Sequence, residues 1–135
     1  MRLDTVRGLP AVSLLVRHAR AEKKLSPVLV DTGSASTILS LDAVLALGIR
    51  PEATDPVFLV RGIGGTESVF GKRIDRLQLG SISLEDMDVE IGSLDYGISL
   101  QGILGMDVLR PIQAVIDLGK MDLRGGDEST TRLSG

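Results

Sequence analysis

The stretch Val28-Leu29-Val30-Asp31-Thr32-Gly33-Ser34 constrains this chain more than any other. Three apolar residues, two of them β-branched, read as a buried strand that runs directly into an acid, a hydroxyl, a glycine and a second hydroxyl. A carboxylate at the end of a dry strand loses hydration and needs donors, which Thr32, Ser34 and the local backbone N–H groups are placed to supply. Gly33 has no Cβ and lets another backbone come close, as an extended peptide would need. The same residues also fit a plainer role, with Asp31 opening a turn or capping the helix that follows, so the rest of the chain must decide.

Composition narrows the chemistry. The 135 residues suit one domain, and a 43% hydrophobic content excludes disorder. Aromatics are only 2% of the chain, which leaves no stacking platform for nucleic acid or sugar. The net charge is −3 without a basic stripe, so no nucleic-acid partner is expected. Cysteine is absent and His18 is the single histidine, which removes disulfides, thiolate chemistry, His-based metal sites and the Ser-His-Asp triad. Carboxylates, hydroxyls, amines and backbone are left, and no metal or cofactor is expected. The apolar run Leu9 to Val16 is too short to span a bilayer, is broken by Pro10 and Ser13, and precedes no cleavage-site signature. A cytoplasmic protein is therefore expected, with membrane anchoring or a periplasmic location only if an upstream segment is missing from the sequence.

Along the chain, residues 1–9 read as a flexible lead, Ala11 to Val16 as a first strand, and Arg17 to Lys24 as a solvated loop or hairpin tip. After Ser34 the period changes. Ser40 is placed to cap a helix whose Leu41, Val44 and Leu45 share a face, and Gly48 sits where a left-handed C-terminal cap belongs. A loop framed by Pro51 and Pro56 leads to a strand at Val57 to Val60. The glycine-rich Arg61 to Glu67 then reads as a bendable hairpin tip, or as an ordinary hairpin. Leu77 and Leu79, the turn Gly80-Ser81, and Ile82 and Leu84 form a further hairpin. Met87, Val89 and Ile91 alternate with acids, which places Asp86, Asp88 and Glu90 on a wet face and not in a calcium loop. Ser93 to Gln101 reads as a loop, and Gly102-Ile103-Leu104-Gly105 as a short buried strand passing close to other backbone. Met106 to Arg110 reads as a brief helix stopped by Pro111, with Asp107 structural in its first turn. A closing hairpin over Ala114 to Leu123 precedes a polar tail, 125–135, expected to be disordered.

Val-Asp-Thr-Gly-Ser at a strand end, a Gly-Ile-Gly-Gly hairpin and Gly-Ile-Leu-Gly-Met-Asp before a short helix, in that order, resemble the retropepsin-like (clan AA) aspartic proteases. The similarity is to the bacterial single-domain type and covers Pro10 to Leu123, within a domain of residues 10–124. It implies an all-β fold: a closed barrel or sandwich with one or two short helices, active as a two-fold homodimer. Residue by residue, Asp31 matches the catalytic aspartate. Thr32 matches the residue whose hydroxyl braces the opposing loop across the dimer axis, and Gly33 the position whose carbonyl meets substrate. Ser34 matches a residue that tunes the carboxylate and faces substrate. Gly62, Ile63, Gly64 and Gly65 match the substrate-covering flap, though no aromatic residue stands at the tip. Ile103, Leu104 and Gly105 match the strand beneath the catalytic turn.

Peptide hydrolysis by this route needs two carboxylates about 3 Å apart sharing one proton. This chain has one Asp-Thr-Gly, so a second copy must bring the other Asp31. The expected activity is therefore that of a homodimeric aspartic endopeptidase on an extended peptide or protein substrate, with Ile63 and Ile38 offering apolar contacts. Two other readings use the same residues. One is a retropepsin-fold module that dimerises or binds peptides without cutting them. The other is an actin-like nucleotide site, which 135 residues are too few to build.

Overall fold

The computed structural model describes residues 1–62, 65–94, 99–126 and 130–132, of which 61, 62, 65–67 and 130–132 are described as backbone only. Its strands are β1 (Asp4–Val6), β2 (Leu9–His18), β3 (Ala21–Val30), β4 (Ile38–Ser40), β5 (Val57–Gly62), β6 (Gly65–Leu79), β7 (Ile82–Gly92), β8 (Gly102–Leu104), β9 (Val115–Asp117), β10 (Asp122–Arg124) and β11 (Thr130–Arg132). Two short helices, α1 (Leu41–Val44) and α2 (Met106–Leu109), complete the list, and a 3-10 turn, Leu45–Leu47, follows α1. The main sheet runs β1-β2-β3-β8-β4-β7-β6-β5, and β2 also pairs with β6. That pairing closes β2, β3, β8, β4, β7 and β6 into a six-stranded barrel, so the all-β, retropepsin-like architecture holds.

Closure gives the apolar alternation an interior to fill. Val12, Leu14 and Val16 on β2, Leu25 and Val28 on β3, and Leu77, Leu84 and Ile91 on the β6–β7 pair are all buried in one cluster. Pro27 cannot donate to a ladder, and the β2–β3 register slips there, between the pairs Leu14↔Leu25 and Val12↔Val28. The hairpin β6–β7 keeps one register from Phe70↔Ile91 to Leu79↔Ile82, interrupted between Ile74↔Met87 and Arg76↔Glu85. Its inward face changes partway: Ile82 and Leu84 are buried, then Met87, Val89 and Ile91. Asp86, at φ 53°, turns the chain at the switch and lets one strand serve two phases of the barrel wall.

Several local expectations change in the folded chain. The lead is structured: β1 pairs with β2 around Arg7 (φ 50°) and Gly8 (φ 81°), a turn needing positive φ at both positions. Leu3 is buried and its N–H donates to Met121 O at 2.8 Å. Of the two readings for Arg17 to Lys24 it is the hairpin tip that is found, since β2 and β3 run to His18 and Ala21 with an Arg17–Glu22 ion pair at 2.8 Å. Ser40 takes the extended conformation of a cap but makes no side-chain cap hydrogen bond, and α1 lasts one turn before the 3-10 segment ends at Gly48 (φ 78°). In the tail, β11 pairs in parallel with Ser83–Glu85 of β7. Ile63 and Gly64, and Tyr96 and Gly97 of the expected loop, lie outside the described residues.

Candidate active site

Strand β3 delivers Asp31, and strand β8 holds it there. The two run parallel with Val30 opposite Leu104, and the next residue, Asp31, donates its N–H to Leu104 O at 3.0 Å. On its other side β8 pairs with β4, Ile103 opposite Ile38. The connection from Asp31 to Thr37 thus arches over the end of β8, between the two strands that flank it. Gly102 fits this passage because a Cβ there would sit 3.3 Å from both Ile38 O and Val28 Cγ2.

Within the arch, Gly33 N–H donates to Asp31 Oδ1 at 2.9 Å, and Ser34 N–H donates to Asp31 O at 3.2 Å. The carboxylate therefore receives one of the backbone donors that its position demands. Ser34 does not supply another: its hydroxyl donates to Ser36 O at 2.7 Å. Asp31 is half-buried, whereas Thr32 and Gly33 are exposed on the surface of the arch. A half-buried carboxylate held through one oxygen can accept a proton or activate a water if a second acid meets it.

The arch is fastened to the start of α2. Met106 N–H donates to Ser34 O at 2.8 Å, and Asp107 N–H to Ala35 O at 3.2 Å. Thr37 is fully buried; its N–H donates to Asp107 Oδ2 at 3.0 Å and its hydroxyl to Asp107 Oδ1 at 2.7 Å. Gly105 N–H donates back to Thr37 Oγ1 at 3.1 Å. A Cβ on Gly105 would come within 2.4 Å of Ser36 O, so only glycine lets the two backbones meet. Asp107, expected to be structural in its helix turn, is structural through a residue 70 positions away. Thr37 is the residue that sequence reasoning passed over; the hydroxyl run Ser34-Ala35-Ser36-Thr37 was the available signal, without spacing to single it out.

Beside the arch opens a groove of about 580 Å³, between Ser36 and Asp107 on one side and Phe58 and Gly71 of the β5–β6 hairpin on the other. Glu90 lines it too, and burial pushes its carboxyl above the usual range; Ser36, by hydrogen bonding, opposes this and the negative charge of Asp107 adds to it. Two other acids of that strand are matched across the ladder, Asp88 by Arg73 at 3.0 Å and Glu85 by Arg76 at 2.9 Å. Ile38 offers little free surface: it is 4% exposed and packs with Val69, Leu100 and Ile103, with Val60 against them. The hairpin closes through Gly62 opposite Gly65. On the far side of the arch, Thr32 borders a hollow of about 310 Å³ with Met106, Arg110 and Ile116. Among the described residues β9 pairs only with β10, so its second edge is open, and Val115 on it is 42% exposed.

A family model described as aspartyl protease matches residues 19–108, two thirds of the chain and every segment of the arch and its supports. No curated protein matches the sequence. No helix among the described residues is long and apolar enough to cross a membrane.

Proposed function

The chain belongs to the retropepsin-like aspartyl protease family, and on that premise we propose that it is an aspartic endopeptidase whose active site is shared by two copies of itself. The observation that carries this is the Asp31 arch: a half-buried carboxylate fixed by Gly33 N–H, on a loop whose exposed residues, Thr32 and Gly33, surround it. One chain supplies one such acid. A second copy, facing the first across a two-fold axis, supplies the other, and the two Asp31 carboxyls share a single proton because both cannot be charged at contact distance. The ionised member takes a proton from a water as its oxygen attacks the scissile carbonyl. The protonated member gives its proton to the carbonyl oxygen, and collapse of the tetrahedral intermediate returns one proton to the leaving amine.

The partner surface has a natural site beside the arch. Met106 is 37% exposed next to Thr32, and the edge of β9 that is open among the described residues lies beside it with Val115. Across the groove, the β5–β6 hairpin covers an extended peptide, with Ser34, Gly62, Ile63, Gly64 and Gly65 on the substrate side. Incubation with a diverse peptide library from acidic to neutral pH, with and without pepstatin, tests the proposal. Cleavage that pepstatin blocks, and that Asp31→Asn lowers by about 10⁴-fold with dimer mass unchanged, is the expected result. Undiminished cleavage by Asp31→Asn, or none by the wild-type chain at any pH, contradicts it.

A further inference from the structure

We propose that Asp107 is a positioning residue for this reaction: acting through Thr37, its carboxylate holds the arch that carries Asp31 in the geometry the two-copy site requires. The inference rests on the protease reading above. The arch is tied at one end by the bond from Asp31 N–H to Leu104 O, and at the other by Asp107, both of whose carboxylate oxygens are taken by Thr37. Between these ends, backbone bonds alone join the arch to α2.

Thr37 leaves none of its polar groups idle. Its N–H and hydroxyl donate to Asp107, its Oγ1 accepts from Gly105, and its carbonyl accepts Glu90 N–H at 3.0 Å, all at a site with no exposed surface. Removing the carboxylate strands a buried N–H and releases the hydroxyl proton from its acceptor. The far end of the arch is then held only by backbone bonds, to Glu90, Met106 and Asp107, and the looser loop lets Asp31 tilt against the end that β8 keeps fixed. Symmetry doubles any such error, because each copy contributes its own displacement to the separation of the two carboxylates. Substrate contacts on the β5–β6 hairpin lie on other elements and are spared, and on the arch side only Ser34 and Ser36 shift with the loop. The loss therefore falls on kcat and not on KM.

Three variants and two readouts test this. In Asp107→Ala, kcat falls about 100-fold while KM stays within about threefold of wild type. Asp107→Asn recovers to within about tenfold, since the amide oxygen keeps the Thr37 N–H and the amide nitrogen donates to Oγ1. Thr37→Val, which keeps the buried volume, reproduces the kcat loss and stands in for Asp107→Ala should that variant not fold. The second readout needs no substrate: amide hydrogen exchange across residues 33–37 speeds up in Asp107→Ala and returns to normal in Asp107→Asn. Unchanged kcat in Asp107→Ala, a loss that Asp107→Asn fails to rescue, or exchange spread evenly over the fold overturns the proposal. If the wild-type chain cleaves nothing, the protease reading falls separately. Exchange then decides the positioning role alone: acceleration confined to the arch upholds it, and none overturns it.

Discussion

Around Asp31 the chain is held from every side, with buried Thr37 saturated by hydrogen bonds, Gly105 pressed against Ser36 O, and β8 wedged between β3 and β4. Across the groove the β5–β6 hairpin is the reverse. Val57 and Leu59 are 68% and 74% exposed, β5 is an edge strand, and the base is fastened by a partly buried ion cluster of Lys72 with Glu52 (2.8 Å) and Asp55 (3.0 Å). Few buried contacts put the hairpin at the low-stability end of the molecule, and the arch at the high end. The proposed protease would gain from this division: its acid must not wander by a fraction of an ångström, and a hairpin that covers substrate must open for each new peptide.

Adding one methyl group on each side of the groove breaks the comparison most directly. Gly105→Ala forces a Cβ to within 2.4 Å of backbone that cannot retreat, and should cost about 3 kcal/mol by urea unfolding along with most of the activity. Gly71→Ala, on the hairpin, meets Pro56 Cγ at 3.0 Å and Phe58 Cε2 at 3.3 Å, both on exposed residues that can shift, and should cost about 1 kcal/mol. Equal costs would mean that the two regions are equally rigid.

A smaller effect, and one tied to pH, is expected at the base of the hairpin. Lys72 and the backbone of Glu52 hold the Asp55 carboxyl below its ordinary value of 3.8, outweighing the desolvation that would raise it. A lowered folded value means that the contribution is present above that ordinary value and is lost as acid titrates the group. Hydrogen bonding to Glu52 first, and to Asp55 after a desolvation that works the other way, raises Lys72 above 10.5, so its share is lost only in strong base. Lys72→Met should therefore lower the urea midpoint slightly at pH 6 and by less at pH 3, with the arch unaffected. An equal drop at both values would remove the ion cluster from the account.

Glu90 should give the smallest change, of opposite sign. Its raised carboxyl favours the protonated fold, so stability is lost as pH climbs through its folded value. Glu90→Gln should raise the urea midpoint modestly at pH 7 and leave it unaltered at pH 4. A midpoint that falls at pH 7 would show that the charge is used in place.

What could be read in advance was whatever the chain settles locally. Val28-Leu29-Val30 running into Asp31, the turn at Gly80-Ser81, the left-handed Gly48 and the short helix before Pro111 each follow from a few adjacent residues, and each is in the fold. The rest depends on partners far along the chain. Nothing near Leu15 announces that it will face Gln78 and close the barrel. The apolar positions switch from Ile82 and Leu84 to Met87, Val89 and Ile91, but nothing near Asp86 shows that one register with β6 spans the switch. The structured lead depends on Met121 and Leu123, which accept and donate its backbone bonds. At the site, Asp31 and its glycine are legible as a motif. The Thr37–Asp107 clamp joins segments 70 residues apart and comes into view only when β8 brings them together.

The account stands on two copies of Asp31 making one site, and mixing wild-type with Asp31→Asn chains at fixed total concentration tests that directly. If each site draws an acid from both copies, the rate follows the square of the wild-type fraction, so an equal mixture keeps about a quarter of full activity. A rate falling in simple proportion to the wild-type fraction would mean that a single chain cleaves alone, and would contradict it.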